Sequence, residues 1–418
     1  MINLDQHPRQ IGIDAHRVET VSTSGHFPSQ PAARLSAFYA AAFLVTGVQL
    51  PFWPVWLASR GFGAKEIGTL FAAAIWAKVV ATPAIGALAD RFGRRRVMAV
   101  LAATALAGYA AMGPAGGFWP ILALNIVALT AQSALMPLGD TVTLAAVRAE
   151  GLDYGRIRVW GSLSFVVASL GAGAVLGHSS GSRVLPLVLG ASAALLAACG
   201  AIPSGADARR REGSRRRAGW RLVAGNPRFW VFVASAAALQ ASHQVYYGFG
   251  TLYWRSLGFS QTTIGWLWAE GVVAEVLLFW QGRRLLARLG PRGLMMLGGA
   301  AGIVRWSLAG IVVSLPATVA LQLLHALTFG AVYLGAMHYL SRTVPPTAAA
   351  GAQTLFAAAS SGLGGGLVMV AAGALYAAYG GHAYLAMAIL SGVGLAGTLL
   401  LRGMQHSARS PEPDGGGS

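Results

Sequence analysis

The feature that most limits the fold of this chain is a succession of apolar runs between residues 35 and 401. A helix rises about 1.5 Å per residue, so a run of about 20 residues crosses about 30 Å of hydrocarbon. The chain is 55% hydrophobic and 11% charged, and its mean hydropathy is +0.57 over 418 residues, which argues against two or three soluble domains. The runs predict twelve membrane spans, near residues 35–58, 66–88, 95–114, 118–146, 157–177, 184–202, 229–254, 262–281, 293–314, 317–340, 350–378 and 383–401.

The positive charge is distributed by loop. The net charge is +17. Each loop is numbered here after the span that precedes it. With this numbering, 25 of the 31 Lys and Arg residues lie in even-numbered loops or in the tails. The other six are Arg60, Lys65, Arg183 and Arg255 in odd loops, and Lys78 and Arg305 within spans. Basic loops tend to stay in the cytoplasm, so both termini are predicted to be cytoplasmic in a multi-pass protein of the inner (plasma) membrane. The basic residues are therefore predicted to face anionic lipid and not nucleic acid.

Polar stretches divide the chain into five parts. Residues 1–33 and 403–418 are rich in polar residues, Pro or Gly and predict disordered cytoplasmic tails. Residues 203–228 carry the densest basic run and predict a linker. This linker would join an N-terminal half, 34–202, to a C-terminal half, 229–402. The first tail lacks the apolar core of a signal peptide, so the first span is expected to remain as an anchor.

A repeated string relates the two halves. The pattern Gly-Phe-x4-Ile-Gly occurs at residues 61–68 and again at 258–265, an offset of 197 residues. In each half it lies between the first and second spans. The same offset aligns the loop at 86–95 with a degenerate copy in which Ala287 stands in place of Asp90. Two six-span halves are implied.

The loop between spans two and three carries a second signal. It combines small and charged residues, namely Gly86, Asp90, Arg91, Gly93, Arg94 and Arg95. This loop, in two parallel halves, resembles the signature of the major facilitator superfamily. The resemblance implies an all-α membrane protein with twelve transmembrane helices in two pseudo-symmetric six-helix halves. We expect the loop to be a conformational latch, in which Gly86 admits a neighbouring helix and Asp90 pairs with Arg or caps a helix. A tight charged turn without that role is the alternative.

Longer strings carry a narrower resemblance. They are Leu-Pro-Phe-Trp-Pro-Val-Trp at 50–56, Tyr-Gly-Arg-Ile-Arg-Val-Trp-Gly-Ser at 154–162, Tyr-Tyr-Gly-Phe-Gly-Thr-Leu-Tyr-Trp at 246–254 and Gly-Val-Val-Ala-Glu-Val at 271–276. Together they look like the phenylpropionate permease family, itself similar to lactose-permease-like proton symporters. The resemblance covers about residues 35–400. It implies a proton-coupled importer of a small organic solute, in the first place an aromatic carboxylate.

Ionisable side chains inside the spans supply the candidate substrate site, because a charge at membrane depth costs a few kcal/mol or more and is usually retained for a polar pathway. The resemblance implies that Asp140 and Arg158 hold substrate, pairing when the site is empty; a structural ion pair is the alternative. Lys78 is about 20 Å from the start of its span, so a cavity-facing cation is favoured over a snorkelling one. Tyr246 and Tyr247 are candidates for contacting a ring, with ordinary helix packing as the alternative.

A second group of charges suggests proton coupling. The resemblance implies this role for Arg305 and His325, whereas Thr328 stands where related sugar symporters have an acid. Glu275 is favoured as the carboxylate by its string, and Glu270 by its depth of about 12 to 15 Å, similar to that of Arg305 and His325. A partly desolvated carboxylate holds a proton readily, and an anionic substrate at Arg305 would free it to do so. A static network that stabilises the second half is the alternative.

Other functions are less compatible with the sequence. There is no Gly-Lys-Ser phosphate loop, no nucleophile-base pair and no metal-spaced cluster, so an enzyme is not predicted. We expect no cofactor beyond the proton gradient, a small-molecule substrate, protons and the lipid bilayer as partners, and a monomer. A sugar or nucleoside symporter remains an alternative. A proton-driven exporter is another, although span five lacks the Gly-Pro bend of such proteins, and a non-transporting sensor is a remote third.

Overall fold

The computed structural model describes residues 30–177, 181–202, 223–345 and 348–406, apart from the side chains of residues 350, 361 and 402–406. Most of residues 1–33, 203–228 and 403–418, which include both predicted tails and the predicted linker, therefore lie outside the described residues. The first half contains six helices: α1 Gln30–Ser59, α2 Ala64–Phe92, α3 Arg94–Met112, α4 Phe118–Glu150, α5 Tyr154–Leu176 and α6 Val184–Ala201.

The helices of the second half are more interrupted. They are α7 Pro227–Ala241, α8 Gln244–Ser256, α9 Gln261–Trp280, α10 Gly282–Ala309, α11 Leu315–Leu323, a π-helical turn Ala326–Ala331, α12 Val332–Thr343, α13 Ala349–Ala357, a second π-helical turn Ala358–Gly364, α14 Gly365–Tyr379, a 3-10 turn Gly380–Ala383 and α15 Tyr384–His406. Helix α10 bends at Gly290, whose φ of 67° is outside the helical region. Glycine has no Cβ and adopts such a conformation at little cost.

Within the described residues these helices make twelve passes, because some passes are built from two helices. Helices α7 and α8 form one pass that breaks at Ser242 and His243, and each π-helical turn joins two helices into one pass. Eight helical stretches are long and apolar enough to cross a membrane, and one of them, 351–401, holds two passes around the 3-10 turn. The remaining passes are α3, the broken α7–α8 pair and α10. The predicted all-α, twelve-helix fold is confirmed.

The two halves meet closely near the odd-numbered loops, a region we call the odd-loop end. A Cβ added to Gly265 of α9 would lie 2.5 Å from the carbonyl oxygen of Ser169 in α5, and one on Gly68 of α2 would lie 2.9 Å from that of Met369 in α14. The Ser169 hydroxyl also donates to the Gly265 carbonyl at 3.0 Å. Gly68 and Gly265 are the repeated glycines of the two strings, so the repeat places one close helix contact on each side of the molecule.

The opposite end, near the even-numbered loops, is separated. A Cβ on Gly86, near the end of α2, would meet no atom within 4 Å. The expectation that Gly86 admits a neighbouring helix is therefore wrong for this conformation, because the helices that meet at Gly68 and Gly265 diverge before they reach this end. The halves are thus in close contact at the odd-loop end, whereas no neighbouring helix packs against Gly86 near the even-loop end.

Replacing Gly265 by leucine is predicted to prevent closure of the odd-loop end. The new Cβ would overlap the backbone of α5, which cannot move aside as a flexible side chain can. Spin labels at Arg60→Cys and Ser256→Cys, in a Cys199→Ser background, should report a longer distance between the halves.

The matched control is Gly190→Leu on α6, where a Cβ meets no atom within 4 Å. The same distance distribution in Gly265→Leu and Gly190→Leu would show that this contact does not hold the end closed.

Candidate functional site

A cavity of about 420 Å³ lies between the two halves. The first half contributes Gln49 of α1 and Lys78 of α2, and the second half contributes Gln244 and Tyr247 of α8 and Phe329 of the first π-helical turn. The cavity is large enough for a small ligand and is lined by both halves. A movement of one half against the other can therefore open such a cavity to either side of the membrane.

Lys78 is the charged residue that lines this cavity. Within the described part of the chain no carboxylate oxygen lies within 4.0 Å of its amino group. Aromatic rings of Phe71, Tyr247 and Phe329 line the same space. The side-chain amide of Gln244 also lines it and makes no hydrogen bond to any described residue. The cavity thus offers one unpaired cation, aromatic faces and a free amide.

Two aromatic residues form a wall between the cavity and a buried polar network. Tyr247 is stacked on the ring of His243, with centroids 5.7 Å apart. Phe329 is stacked on His325 at 5.5 Å and with an interplanar angle of 4°. A ligand that presses on this wall would therefore act on both histidines without touching them.

Arg305 is at the centre of the buried network and is only 1% exposed. Its Nη1 donates to Thr328 Oγ1 at 2.9 Å and to His325 Nδ1 at 3.1 Å, and its Nη2 donates to Gln322 Oε1 at 2.7 Å. The guanidinium carbon lies 4.9 Å from the ring centroid of Tyr246. The predicted neighbours Arg305 and His325 are brought together, but Arg305 does not line the cavity.

The hydrogen bonds of Arg305 assign the tautomer of each histidine. Arginine can only donate, so His325 Nδ1 must accept and its proton must be on Nε2. The Thr328 oxygen accepts from Arg305, and its proton has two acceptors within reach, His243 Nε2 at 3.1 Å and the His325 carbonyl oxygen at 3.4 Å, of which His243 is the nearer. His243 then carries its proton on Nδ1, 3.2 Å from the carbonyl oxygen of Gln240. Both histidines are neutral in this arrangement.

The two candidate glutamates have different surroundings. Oε2 of Glu275 lies 3.9 Å from Nε2 of His325, and the Glu275 side chain is 20% exposed. Glu270 is half-buried and has no ion pair or hydrogen bond among the described residues. The structure therefore brings Glu275 to His325, and it does not bring Glu270 to Arg305 or to His325.

The predicted pair of Asp140 and Arg158 is not formed. Asp140 Oδ1 accepts hydrogen bonds from Tyr39 at 2.6 Å and from Tyr154 at 3.1 Å. The guanidinium of Arg158 lies over the ring of Phe43, 4.3 Å from its centroid, and 5.3 Å from that of Tyr39. The expected ion pair is wrong for this state because the two tyrosine hydroxyls already satisfy the carboxylate, and an aromatic face holds the cation. Neither residue lines the cavity.

The packing of α5 against α9 relates Arg158 to Glu275. These antiparallel helices touch where Ser169 meets Gly265. Arg158 is eleven residues before Ser169, and Glu275 is ten residues after Gly265. The two side chains are therefore at one level, about 16 Å from the contact, on helices that diverge towards the even-loop end.

The predicted latch makes contacts within the first half. Arg94 donates to Asp90 Oδ1 at 3.0 Å, one helical turn away, and Asp90 is 71% exposed. Arg95 donates to the carbonyl oxygen of Gly200 in α6 at 2.6 Å. Gly93 turns the chain between α2 and α3 with a φ of 93°, and the Arg91 guanidinium lies over Phe92.

Comparison with known proteins places the chain in a family. The model of the MFS_1 like family matches residues 32–386. The chain belongs to this family of the major facilitator superfamily. It is 32% identical over 368 residues to a protein of Escherichia coli (strain K12) named "Probable 3-phenylpropionic acid transporter", covering 85% of this chain and 94% of that protein.

The chain is also similar to a second named transporter and shares its fold with a solved structure. The chain is 28% identical to the maltose permease of Geobacillus stearothermophilus over 89% of its own length and 94% of the permease. The crystal structure of the nucleoside transporter NupG superposes with a TM-score of 0.78 at 18% identity, over 90% of this chain and 99% of that one. This major facilitator is a multi-pass membrane transporter of a small molecule and not an enzyme, and its resemblance to the superfamily is confirmed.

Sequence reasoning did not identify all the residues of the major facilitator's buried network. The side-chain amide of Gln322 joins Arg305 to Tyr246. Its oxygen accepts from Arg305, and its nitrogen donates to the Tyr246 hydroxyl at 3.0 Å. Thr328 joins Arg305 to His243. The available signal was that both are polar residues in the same apolar span as His325. Tyr246 belongs to this network and not to the cavity, whereas Tyr247 lines the cavity.

Replacing Thr328 by valine is predicted to destabilise the protein by about 1 to 3 kcal/mol, because His243 and Arg305 would each lose a buried partner. A fall in the thermal unfolding temperature of detergent-purified protein would measure the effect. The control is Thr398→Val, since the buried Thr398 hydroxyl bonds only to the carbonyl of Gly394 in its own helix. Equal falls in both variants would contradict the bridging role of Thr328.

Proposed function

We propose that this transporter imports an aromatic monocarboxylate together with protons by alternating access. The observation that carries the proposal is the cavity, where the unpaired cation of Lys78 is beside the rings of Phe71, Tyr247 and Phe329. A carboxylate and an aromatic ring are the two ligand groups that complement those surfaces. The similarity to the protein named as a probable 3-phenylpropionic acid transporter supports the same substrate class.

In this proposal the carboxylate of the substrate pairs with Lys78 and its ring lies against the aromatic wall. The ion pair forms away from bulk water, where charge attraction is stronger than at a protein surface. Each ring contact adds about 0.5 to 1.5 kcal/mol beyond the area buried. Arg305 is not the anchor, because Tyr246 and its hydrogen-bonding partners enclose it.

Glu275 is the proposed proton carrier. His325 Nδ1 accepts from Arg305, so the histidine can bind a second proton only by giving up that hydrogen bond. Glu275 has no such restriction, is partly exposed and is beside the Nε2 proton of His325. His325 therefore orients the carboxylate, and Arg305 fixes the orientation of His325.

Closure of the even-loop end would couple the proton to the movement. As α5 and α9 come together, Arg158 approaches Glu275, which is at the same level, and an ionised Glu275 would pair with it across the halves. The proton on Glu275 thus decides whether this contact forms. If the even-loop end is cytoplasmic, as the basic loops predict, the structure is open to the inside, and the loop of Asp90 and Arg94 is a latch for the closed state. The proton gradient supplies the energy, and no cofactor is required.

Proton coupling is tested by uptake into proteoliposomes with the outside acidified. The wild-type protein is predicted to accumulate a labelled arylpropionate, and Glu275→Gln to lose accumulation while keeping exchange of labelled for unlabelled substrate. Exchange survives because it needs no net change in protonation. Glu270→Gln is the matched control and should accumulate substrate normally. Accumulation by Glu275→Gln, or its loss only in Glu270→Gln, would exclude Glu275 as the carrier.

Replacing Lys78 by methionine is predicted to raise the KM for an aromatic carboxylate at least about tenfold, which corresponds to about 1.4 kcal/mol of lost binding. Met is apolar and has a similar unbranched shape, so the aromatic wall should remain. Lys78→Arg should keep most of the affinity because it retains the charge. An unchanged KM in Lys78→Met would show that the Lys78 cation does not bind the substrate.

A second candidate substrate is a sugar or nucleoside. The cavity is also lined by Thr46, Ser133 and Ser360 and by side-chain amides, which suit a ligand rich in hydroxyl groups. Relatives named as a maltose permease and a nucleoside transporter support this candidate. A neutral ligand has no need of Lys78, so uptake of sugars or nucleosides that is unaffected in Lys78→Met would favour it. Faster loss of preloaded substrate under an inward proton gradient would instead indicate an exporter.

A further inference from the structure

A second, smaller pocket lies beside Arg305, separate from the cavity proposed for transport. Its volume is about 20 Å³, and its lining includes Tyr246, Trp254, Arg305, Trp306, Gln322 and Tyr384. A space that holds one water molecule measures about 10 to 15 Å³ or more, so the pocket has room for one water or one small ion.

The charge of Arg305 has no counterion among the residues that the structure describes. No carboxylate oxygen lies within 4.0 Å of its guanidinium among the described residues, and the side chains that accept its hydrogen bonds are neutral. A buried charge without an opposite charge is costly. The rings of Tyr246 and Trp306, 4.9 Å and 4.3 Å from the guanidinium carbon, offset only part of that cost.

The side chains around the pocket carry more donors than acceptors. The Tyr384 hydroxyl is on a side chain that is 2% exposed, and within the described chain it makes no hydrogen bond. The Tyr246 hydroxyl accepts from Gln322, and its own proton has no described acceptor. The indole N–H of Trp254 likewise has none.

Acceptors on the lining side chains are few. The side-chain oxygen of Gln322 already accepts a hydrogen bond from Arg305. The hydroxyl of Thr318, which also lines the pocket, donates to the carbonyl oxygen of Ser314 and so has only its own oxygen left to accept. The hydroxyl oxygens of Tyr384 and Thr318 could accept from a water molecule, but a neutral water would leave the charge of Arg305 uncompensated, whereas an anion accepts from every donor and supplies the opposite charge.

We propose that this pocket binds one small monovalent anion of the chloride class, which is the counterion of Arg305. The site is independent of the transported substrate, because the aromatic wall and the network of His243, His325 and Thr328 separate it from Lys78. Its occupant would stabilise the folded protein without moving through the cavity.

The direct test is a crystal structure of the full chain in bromide. An anomalous peak is expected in the pocket, within hydrogen-bonding distance of Arg305 and of the Tyr384 hydroxyl. Density in the pocket without an anomalous signal would identify a water molecule and overturn the proposal.

The solution test uses detergent-purified protein at constant ionic strength, with gluconate replaced by chloride or bromide. A saturable rise in the unfolding temperature is expected with both halides, because a ligand that binds only the folded state stabilises it. Bromide should also quench a fraction of the tryptophan fluorescence with the same saturation, since Trp254 and Trp306 line the pocket.

Tyr384→Phe is expected to weaken halide binding about tenfold, as for the loss of one hydrogen bond to a charged group. The matched control is Tyr376→Phe, because Tyr376 is stacked on Phe249 at 4.8 Å and does not line the pocket. Halide effects that do not saturate, or that are equal in the two variants, would contradict the site. If Tyr384→Phe does not fold, the bromide map of the wild-type protein decides.

Discussion

A guanidinium group inside a membrane protein must direct its N–H groups at acceptors or at aromatic faces, and the second half of this structure is arranged to meet that requirement for Arg305. The break between α7 and α8 occurs at Ser242 and His243, and it lets His243 reach Thr328 at 3.1 Å. Trp306, next to Arg305, donates to the Ser242 hydroxyl at 3.2 Å and so supports the broken backbone. The π-helical turn that follows His325 carries Thr328, whose hydroxyl oxygen accepts a hydrogen bond from Arg305. Two departures from regular helix thus serve a single buried charge.

The fold could be predicted from the sequence because its signals are repeated over many residues, whereas the site depends on single contacts. Hydropathy and the 197-residue repeat predict the twelve passes, and the charges within the spans predict that Arg305 is near His325. Thr328 and Gln322 were missed as partners because neutral side chains give no strong signal when they are buried. A π-helical turn shifts every later side chain around the axis, and a pattern of 3.6 residues per turn does not reveal it. The Asp140–Arg158 pair was expected from the family resemblance and the opposite charges, but two tyrosine hydroxyls compete for the carboxylate.

The aromatic wall explains how a ligand in the cavity could influence a proton site that it does not touch. Phe329 faces the cavity on one side and stacks on His325 on the other, and Tyr247 does the same with His243. A ring bound against this wall would restrict both histidines and thereby the orientation of the His325 Nε2 proton towards Glu275. Packing carries such an influence well because a close-packed interior has few alternative arrangements. In the proposed mode of binding, the wall also keeps the substrate carboxylate away from Arg305, so the two cations can serve different partners.

The two halves form equivalent helix contacts, but they carry different charged residues. In the proposed mechanism this difference couples ligand binding to the movement of the halves. Gly68 and Gly265 occur at equivalent repeat positions and form equivalent close contacts. Lys78 has its cation in the first half, whereas Glu275 and His325 are in the second, so the proposed substrate and proton sites are on opposite sides of the interface between the halves. A proton on Glu275 removes the negative charge that Arg158 would meet when the even-loop end closes, while a substrate carboxylate neutralises Lys78 across the cavity. When the even-loop end closes, an ionised Glu275 can pair with Arg158, whereas the Lys78 cation stays unpaired unless a substrate carboxylate is bound. The proton and the substrate would therefore each change the cost of burying charge at the same interface, which provides a physical reason for both ligands to control the same movement.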